Sequence, residues 1–179
     1  MRQRLLIAIA LSLTASSCTS NTTAPVKVQD ENRNQVPPCH PGCFPAGTTI
    51  LTPGGSKRIE TIVRGDVVIL VDAKGAPTGG TVYSTFQTTN RLIEIRTDVG
   101  SILTTVTQPL CLHSGGFRTA GELTAGDQIW RWSEGKRCLA RVEANVATER
   151  DAAVFNLVVG ESAIFVAGGF LARGKPPIE

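Results

Sequence analysis

The residues that could do chemistry gather around Cys43. Residues 43 to 55 read CFPAGTTILTPGG, on an approach punctuated by Pro41, Gly42, Pro45 and Gly47. A thiol directly after a glycine carbonyl is where acyl chemistry on the chain's own backbone could begin. Glycine at 42 puts no side chain in the path of attack. Cys18, Cys39, Cys111, Cys138, His40 and His113 complete the set of thiols and imidazoles. In an exported chain Cys39, Cys43, Cys111 and Cys138 allow three disulfide pairings, and a disulfide through Cys43 would remove the nucleophile. The spacings Cys39-His40-x-x-Cys43 and Cys111-x-His113 lack the paired knuckles of a zinc module, so no metal is expected. No phosphate-cradling glycine loop occurs, and no cofactor is expected.

The elements that must position this thiol are short strands. Eighteen glycines and ten prolines in 179 residues, with only 5% aromatics, are the composition of an all-β chain of many strands and tight turns. Strand-length apolar or alternating runs occur at 48–51, 66–71, 81–86, 91–97, 101–106, 128–132, 137–146, 153–159 and 163–167. Turn-forming residues separate them at 72–75, 98–100 and 133–136. The segments KRIETIV and TAGELTA each suit a single helical turn. Trp130 and Trp132 alternate on one strand face, where core packing is expected. Arg131, Lys136, Arg137 and Arg141 cluster near a hairpin and read as a solvated face.

The first 17 residues, MRQRLLIAIALSLTASS, carry two arginines, an apolar run from Leu5 to Leu13 and then small residues. That run is shorter than the ~20 residues a membrane-spanning helix needs, so it predicts a secretory leader. AlaSerSer before Cys18 resembles the lipobox of bacterial lipoproteins, with Ala15 where leucine is usual. The resemblance implies cleavage before Cys18, lipid on that residue and attachment to a membrane of the bacterial cell envelope. Residues 18–42 are polar and proline-rich and read as a tether. Of the formal charge of +3, two units are Arg2 and Arg4 in the leader. The balance that remains does not point to nucleic acid.

Sliding the sequence by 61 positions without a gap matches Leu51 to Leu112, Gly54-Gly55 to Gly115-Gly116, Lys57 to Arg118, Ile62 to Leu123, Gly65-Asp66 to Gly126-Asp127 and Val68 to Ile129. The chain therefore contains a duplicated unit of strand, Gly-Gly turn, short irregular step and Gly-Asp turn opening a further strand. Gly65, Asp66, Gly126 and Asp127 are expected to be structural, the glycines supplying positive φ and the aspartates accepting from turn amides. Neither unit can bury its own apolar face, so the pair is expected to pack as one pseudo-twofold β domain.

This duplicated unit, opening on Cys43, resembles the Hint superfamily of Hedgehog and intein autoprocessing domains. Residues 43–69 match the first family motif, Cys followed by Ala-Gly-Thr and a later Gly-Asp-x-Val. Residues 104–129 resemble the second, and 154–174, VFNLVVGESAIFVAGGFLARG, the closing one. The likeness covers 43–174 and leaves 175–179 as a tail. It implies a compact pseudo-twofold Hint fold, with Cys43 as nucleophile on the Gly42-Cys43 bond and Thr105 hydrogen-bonding around that bond. Two departures limit the chemistry. Gln108 stands where the family has histidine, and Arg173-Gly174 where it has His-Asn. Glycine has no side chain to cyclise, and the chain ends five residues later, so full splicing is not expected.

The resemblance leaves two functional expectations. In the first, Cys43 attacks Gly42 slowly, because Gln108 can hydrogen-bond but cannot transfer a proton at neutral pH; water or a small nucleophile then resolves the thioester. In the second, the fold is an inert display or interaction module with a structural Cys43. The sequence names no protein partner for either.

Overall fold

A computed structural model of the chain describes residues 42–160 and 163–175. All of them belong to the compact unit Pro37–Glu179. The leader, Cys18, Cys39 and His40 lie outside the described residues.

The described residues form thirteen strands and two 3-10 turns. In chain order the strands are β1 (Phe44–Pro45), β2 (Thr49–Thr52), β3 (Gly55–Arg58), β4 (Val67–Val71), β5 (Pro77–Thr81), β6 (Ser84–Thr97), β7 (Gly100–Thr104), β8 (Pro109–Cys111), β9 (Phe117–Thr119), β10 (Gln128–Ser133), β11 (Lys136–Val158), β12 (Ile164–Ala167) and β13 (Phe170–Arg173). The 3-10 turns, Ile59–Thr61 and Ala120–Glu122, fall in the two segments that the sequence marks as single helical turns. The fold is all-β, as the composition predicts.

The duplication is visible bond by bond. Each copy has a hairpin (β2-β3 or β8-β9), a 3-10 turn, a Gly-Asp turn and a further strand (β4 or β10). In the first copy Asp66 accepts from the backbone N–H of Val63 at 2.8 Å and pairs with Lys57 at 2.6 Å. In the second, Asp127 accepts from the N–H of Thr124 at 2.8 Å and pairs with Arg118 at 2.6 Å. Gly65 and Gly126 sit at φ of 90° and 96°, where an L side chain is strained.

Two strands are longer than the sequence suggests. Tyr83 and Val82 break the predicted 81–86 strand, and β6 instead runs through the polar Gln87-Thr88-Thr89-Asn90 stretch to Thr97. Likewise β11 joins the predicted strands 137–146 and 153–159 across Ala147 to Asp151, with register shifts at Val142/Ala144 and Ala147/Asp151. Each strand supplies the other's partner: β6 and β11 pair antiparallel from Ser84↔Val158 to Thr97↔Val142. At the register shift between Ala147 and Asp151, exposed Arg91 binds Asp151 at 3.0 Å and Glu149 at 3.2 Å. The short β13 had no strand assignment in the sequence and is buried between β12 and β10.

The main core includes Phe44, Ile50, Ile59, Val68, Ile95, Leu110, Ile129, Leu157 and Phe165. Phe44 and Phe165 meet edge to face at 6.3 Å. Trp130 and Trp132 pack, partly buried, against Val71, Cys111, Val166 and Leu171. Of the basic cluster, Arg137 lies over the Trp130 ring at 4.8 Å and donates to the Ala73 carbonyl, while Arg131 donates to Val99.

Candidate functional site

Burial of Phe44 fixes the residue before it. Cys43 enters β1, whose register on β11 is Phe44↔Phe155 and Pro45↔Val154, so the Gly42-Cys43 peptide lies near the Ser84↔Val158 end of the β6-β11 ribbon. The segment after β7 closes over it. The Cys43 carbonyl accepts from the Thr105 N–H at 3.0 Å and from the Thr104 hydroxyl at 2.9 Å. The Gly42 N–H donates to the Thr107 carbonyl at 3.2 Å.

The peptide bond itself is held at both ends. Its N–H, from Cys43, donates to Thr105 Oγ1 at 2.8 Å, and Thr105 is buried. Its oxygen, from Gly42, accepts from Asn156 Nδ2. The backbone N–H of Leu157 donates to Asn156 Oδ1 at 2.7 Å, which fixes the amide with its NH₂ toward Gly42. Glycine at 42 has a further reason beyond a clear attack path: a Cβ there would overlap the backbone of Gln108.

Gln108 is fully buried and does not reach the peptide with its side chain. Its Nε2 donates to the carbonyls of Pro109 and Arg173, each at 3.0 Å, and its Oε1 accepts from Asn156 Nδ2 at 3.3 Å. It is a strut that ties β13 to Asn156. The Arg173 guanidinium lies over the Phe117 ring at 5.3 Å. At Gly174 a Cβ would stand 3.0 Å from the Leu157 carbonyl.

The thiol of Cys43 is buried beside Leu92 and Val154, with Phe86 and Ala152 packed against them. Desolvation pushes its pKa up to about 11, and the positive charge of Lys175 pulls the other way. Lys175, assigned to the tail by sequence, is docked instead. Its N–H donates to the Leu157 carbonyl at 2.9 Å, it bridges Val158, and only 8% of it is exposed. Its Nζ stands 3.4 Å above the Phe86 ring centroid. Burial lowers the Lys175 pKa, opposed by its interaction with Cys43.

Cys43, Thr105 and Gln108 are thus brought to one place, with Gly42 between them. The Gly65-Asp66 and Gly126-Asp127 turns stand apart from it, each engaged with its own hairpin. His113 is exposed, with its ring against Trp130 at 5.1 Å. Cys111 and Cys138 are free thiols. Among the described residues no three His, Cys, Asp or Glu side chains gather as a metal site.

Sequence reasoning missed Asn156 and Lys175. The signal for Asn156 was a lone carboxamide inside the apolar run Val154 to Val159. Lys175 gave none, since a lysine one residue past the closing motif reads as solvated.

No protein-family model matches the chain, and comparison with curated proteins found no match. Solved structures do match, and they define the class: the domain has the fold of inteins and Hint-like domains. A mini-intein variant of the Ssp DnaB intein superposes with a TM-score of 0.70 at 15% identity, over 77% of this chain and 96% of that one. A bacterial intein-like domain from Clostridium thermocellum gives 0.62 at 25% identity, over 74% and 98%. The TvoVMA intein gives 0.65 at 19% identity, over 74% and 97%.

Proposed function

We propose that the domain acts once, on itself, by a slow N-to-S acyl shift at Gly42-Cys43, on an exported chain anchored through lipid on Cys18. The observation that carries this reading is the grip on one peptide bond. Asn156 Nδ2 donates to the Gly42 oxygen and Thr105 Oγ1 accepts from the Cys43 N–H. As Cys43 Sγ adds to the Gly42 carbon, negative charge grows on the oxygen that Asn156 already contacts. Thr105 Oγ1 orients the nitrogen that must leave.

The shift is slow for two reasons. The thiol is protonated at neutral pH because its burial opposes the thiolate. In addition, Gln108 supplies no proton to the leaving amine, and positioned acid-base catalysis contributes roughly 10²- to 10⁴-fold, or about 3–5 kcal/mol. Water or an external nucleophile would complete cleavage and release the domain from its tether. Splicing is not part of the proposal, since Gly174 offers no side chain to cyclise.

The experiment is intact mass over time on the full chain and on Cys43→Ala, with and without hydroxylamine. Hydroxylamine-dependent scission after Gly42 in the wild type alone is expected. A wild-type chain that neither rearranges nor reacts would sink the proposal. The burial of Cys43 and the complete use of Gln108 as a strut favour the second reading, an inert module of the same fold, and that result would establish it.

A further inference from the structure

Lys175 shares one face of the β6-β11 ribbon with the scissile bond. Phe86 and Asn156 are directly opposed across the two strands, and opposed residues project to the same side of a sheet. The Lys175 amine rests on the Phe86 ring, and the Asn156 amide holds the Gly42 oxygen. The lysine backbone is anchored one residue further along β11, on the Leu157 carbonyl. Phe86 also packs against the group that buries Cys43. A primary amine therefore rests on a ring of the cluster that holds the thiol, near enough for its charge to act on Cys43, with its approach from solvent closed by its own burial.

We propose that Lys175 is the acyl acceptor of the reaction: its amine takes the Gly42 acyl group from Cys43 and closes an isopeptide bond between Gly42 and the Lys175 side chain. The inference rests on the acyl shift proposed above. In the shift, the Cys43 Sγ–Gly42 carbon bond forms, the peptide C–N bond breaks, and the Cys43 nitrogen takes up a proton. Next the lone pair of neutral Lys175 Nζ adds to the thioester carbon and the C–S bond breaks. The sulfur leaves as thiolate and recovers the proton that the amine loses. Nothing is oxidised or reduced, and no atom is gained or lost.

Two properties of the pair fit this step. Amine attack requires the uncharged form, and burial of Lys175 favours that form. An amide is also a far poorer acyl donor than a thioester, so the product is an end point. The segment before Cys43 would then stay attached, through a side chain more than a hundred residues further along the sequence, while Cys43 acquires a free amine.

The test uses the full chain, incubated folded and then digested with trypsin. The expected product has unchanged intact mass and a second N-terminal sequence, Cys43-Phe44-Pro45. Its digest holds a branched peptide joining residues 34–42 to residues 174–179. Cys43→Ala should show neither. Lys175→Arg, checked for native circular dichroism, should lose the branched peptide. Scission into 1–42 and 43–179 with no branched peptide would overturn Lys175 as acceptor and leave the acyl shift standing. A chain that neither rearranges nor reacts with hydroxylamine would overturn both. A cross-link from Gly42 to another lysine would also overturn the assignment.

Discussion

Thr105 Oγ1 accepts a hydrogen bond of 2.8 Å from the amide nitrogen of Cys43, across 62 residues of sequence. The hydroxyl is buried, so nothing else replaces it when it is removed. Thr105→Ala should slow thioester formation roughly 10- to 100-fold, matching a lost buried bond of about 1–3 kcal/mol. Thr105→Ser should recover most of the rate. The measurement is hydroxylamine-trapped product against time, and equal rates for Ala and Ser would refute the role.

Asn156 offers the donor at the other end of the same bond. Removing one donor to a developing oxyanion costs about 10²- to 10³-fold. Asn156→Ala is expected to lose that much, and Asn156→Asp to lose at least as much, since a carboxylate only accepts and would face the Gly42 oxygen with like charge. If Asn156→Asp reacted as fast as the wild type, the carbonyl contact would have no part in the shift.

Gly42→Ala tests the packing against Gln108. A methyl group there overlaps main chain, which cannot swing aside as a side chain can. Overpacking of this kind typically costs about 1–3 kcal/mol, and here it pushes the Gly42 carbonyl off Asn156. Both the melting temperature and the rate should fall. A variant with wild-type melting and wild-type trapping would contradict the arrangement.

The pH profile follows from the thiol. With a pKa near 11, the thiolate fraction rises about tenfold per pH unit from 7.5 to 10, and the trapping rate should rise with it. Lys175 is the charge that faces Cys43, and Lys175→Met should move the rise to still higher pH. The same ionisation costs stability: Cys43 holds its proton more tightly folded than unfolded, so its contribution is complete below about pH 9 and lost as pH climbs toward 11. A rate flat between pH 7.5 and 10 would argue against thiolate attack.

Asp127 should matter to folding alone. Its carboxyl is held below the ordinary range first by the Thr124 N–H, then by Arg118 through a hydrogen bond and its charge. Asp127→Ala should cost about 1–2 kcal/mol through the lost turn bonds, read as a drop of about 5 °C in Tm. The wild-type contribution is present at neutral pH and fades as pH falls through the folded pKa, below the ordinary carboxylate range. A fall in trapping rate with an unchanged Tm would reverse the assignment.

The fold was legible because the duplication repeats its hydrogen-bonding groups and not only its apolar pattern. Lys57 with Asp66 and Arg118 with Asp127 recur at one spacing, and such local turns depend on residues close in sequence. The long ribbon was hidden for the opposite reason: Gln87 to Asn90 and Ala147 to Asp151 carry polar or charged side chains that read as loops, and only pairing with each other makes them strands. The site was half legible. Cys43 and Thr105 stand out by motif, whereas Asn156 reaches Gly42 across 114 residues and Lys175 takes its meaning from the Phe86 ring beneath it. No local pattern announces contacts of that kind.

The last strand also sets a clock. Gln108 is tied to the Arg173 carbonyl, Asn156 leans on Gln108, and Lys175 follows directly after β13. While a ribosome is still adding residues before 173, the Gly42-Cys43 bond is an ordinary peptide without its finished clamp. On the proposed acyl shift, any scission or branching at Gly42 would report a chain synthesised through its final strand and folded around it.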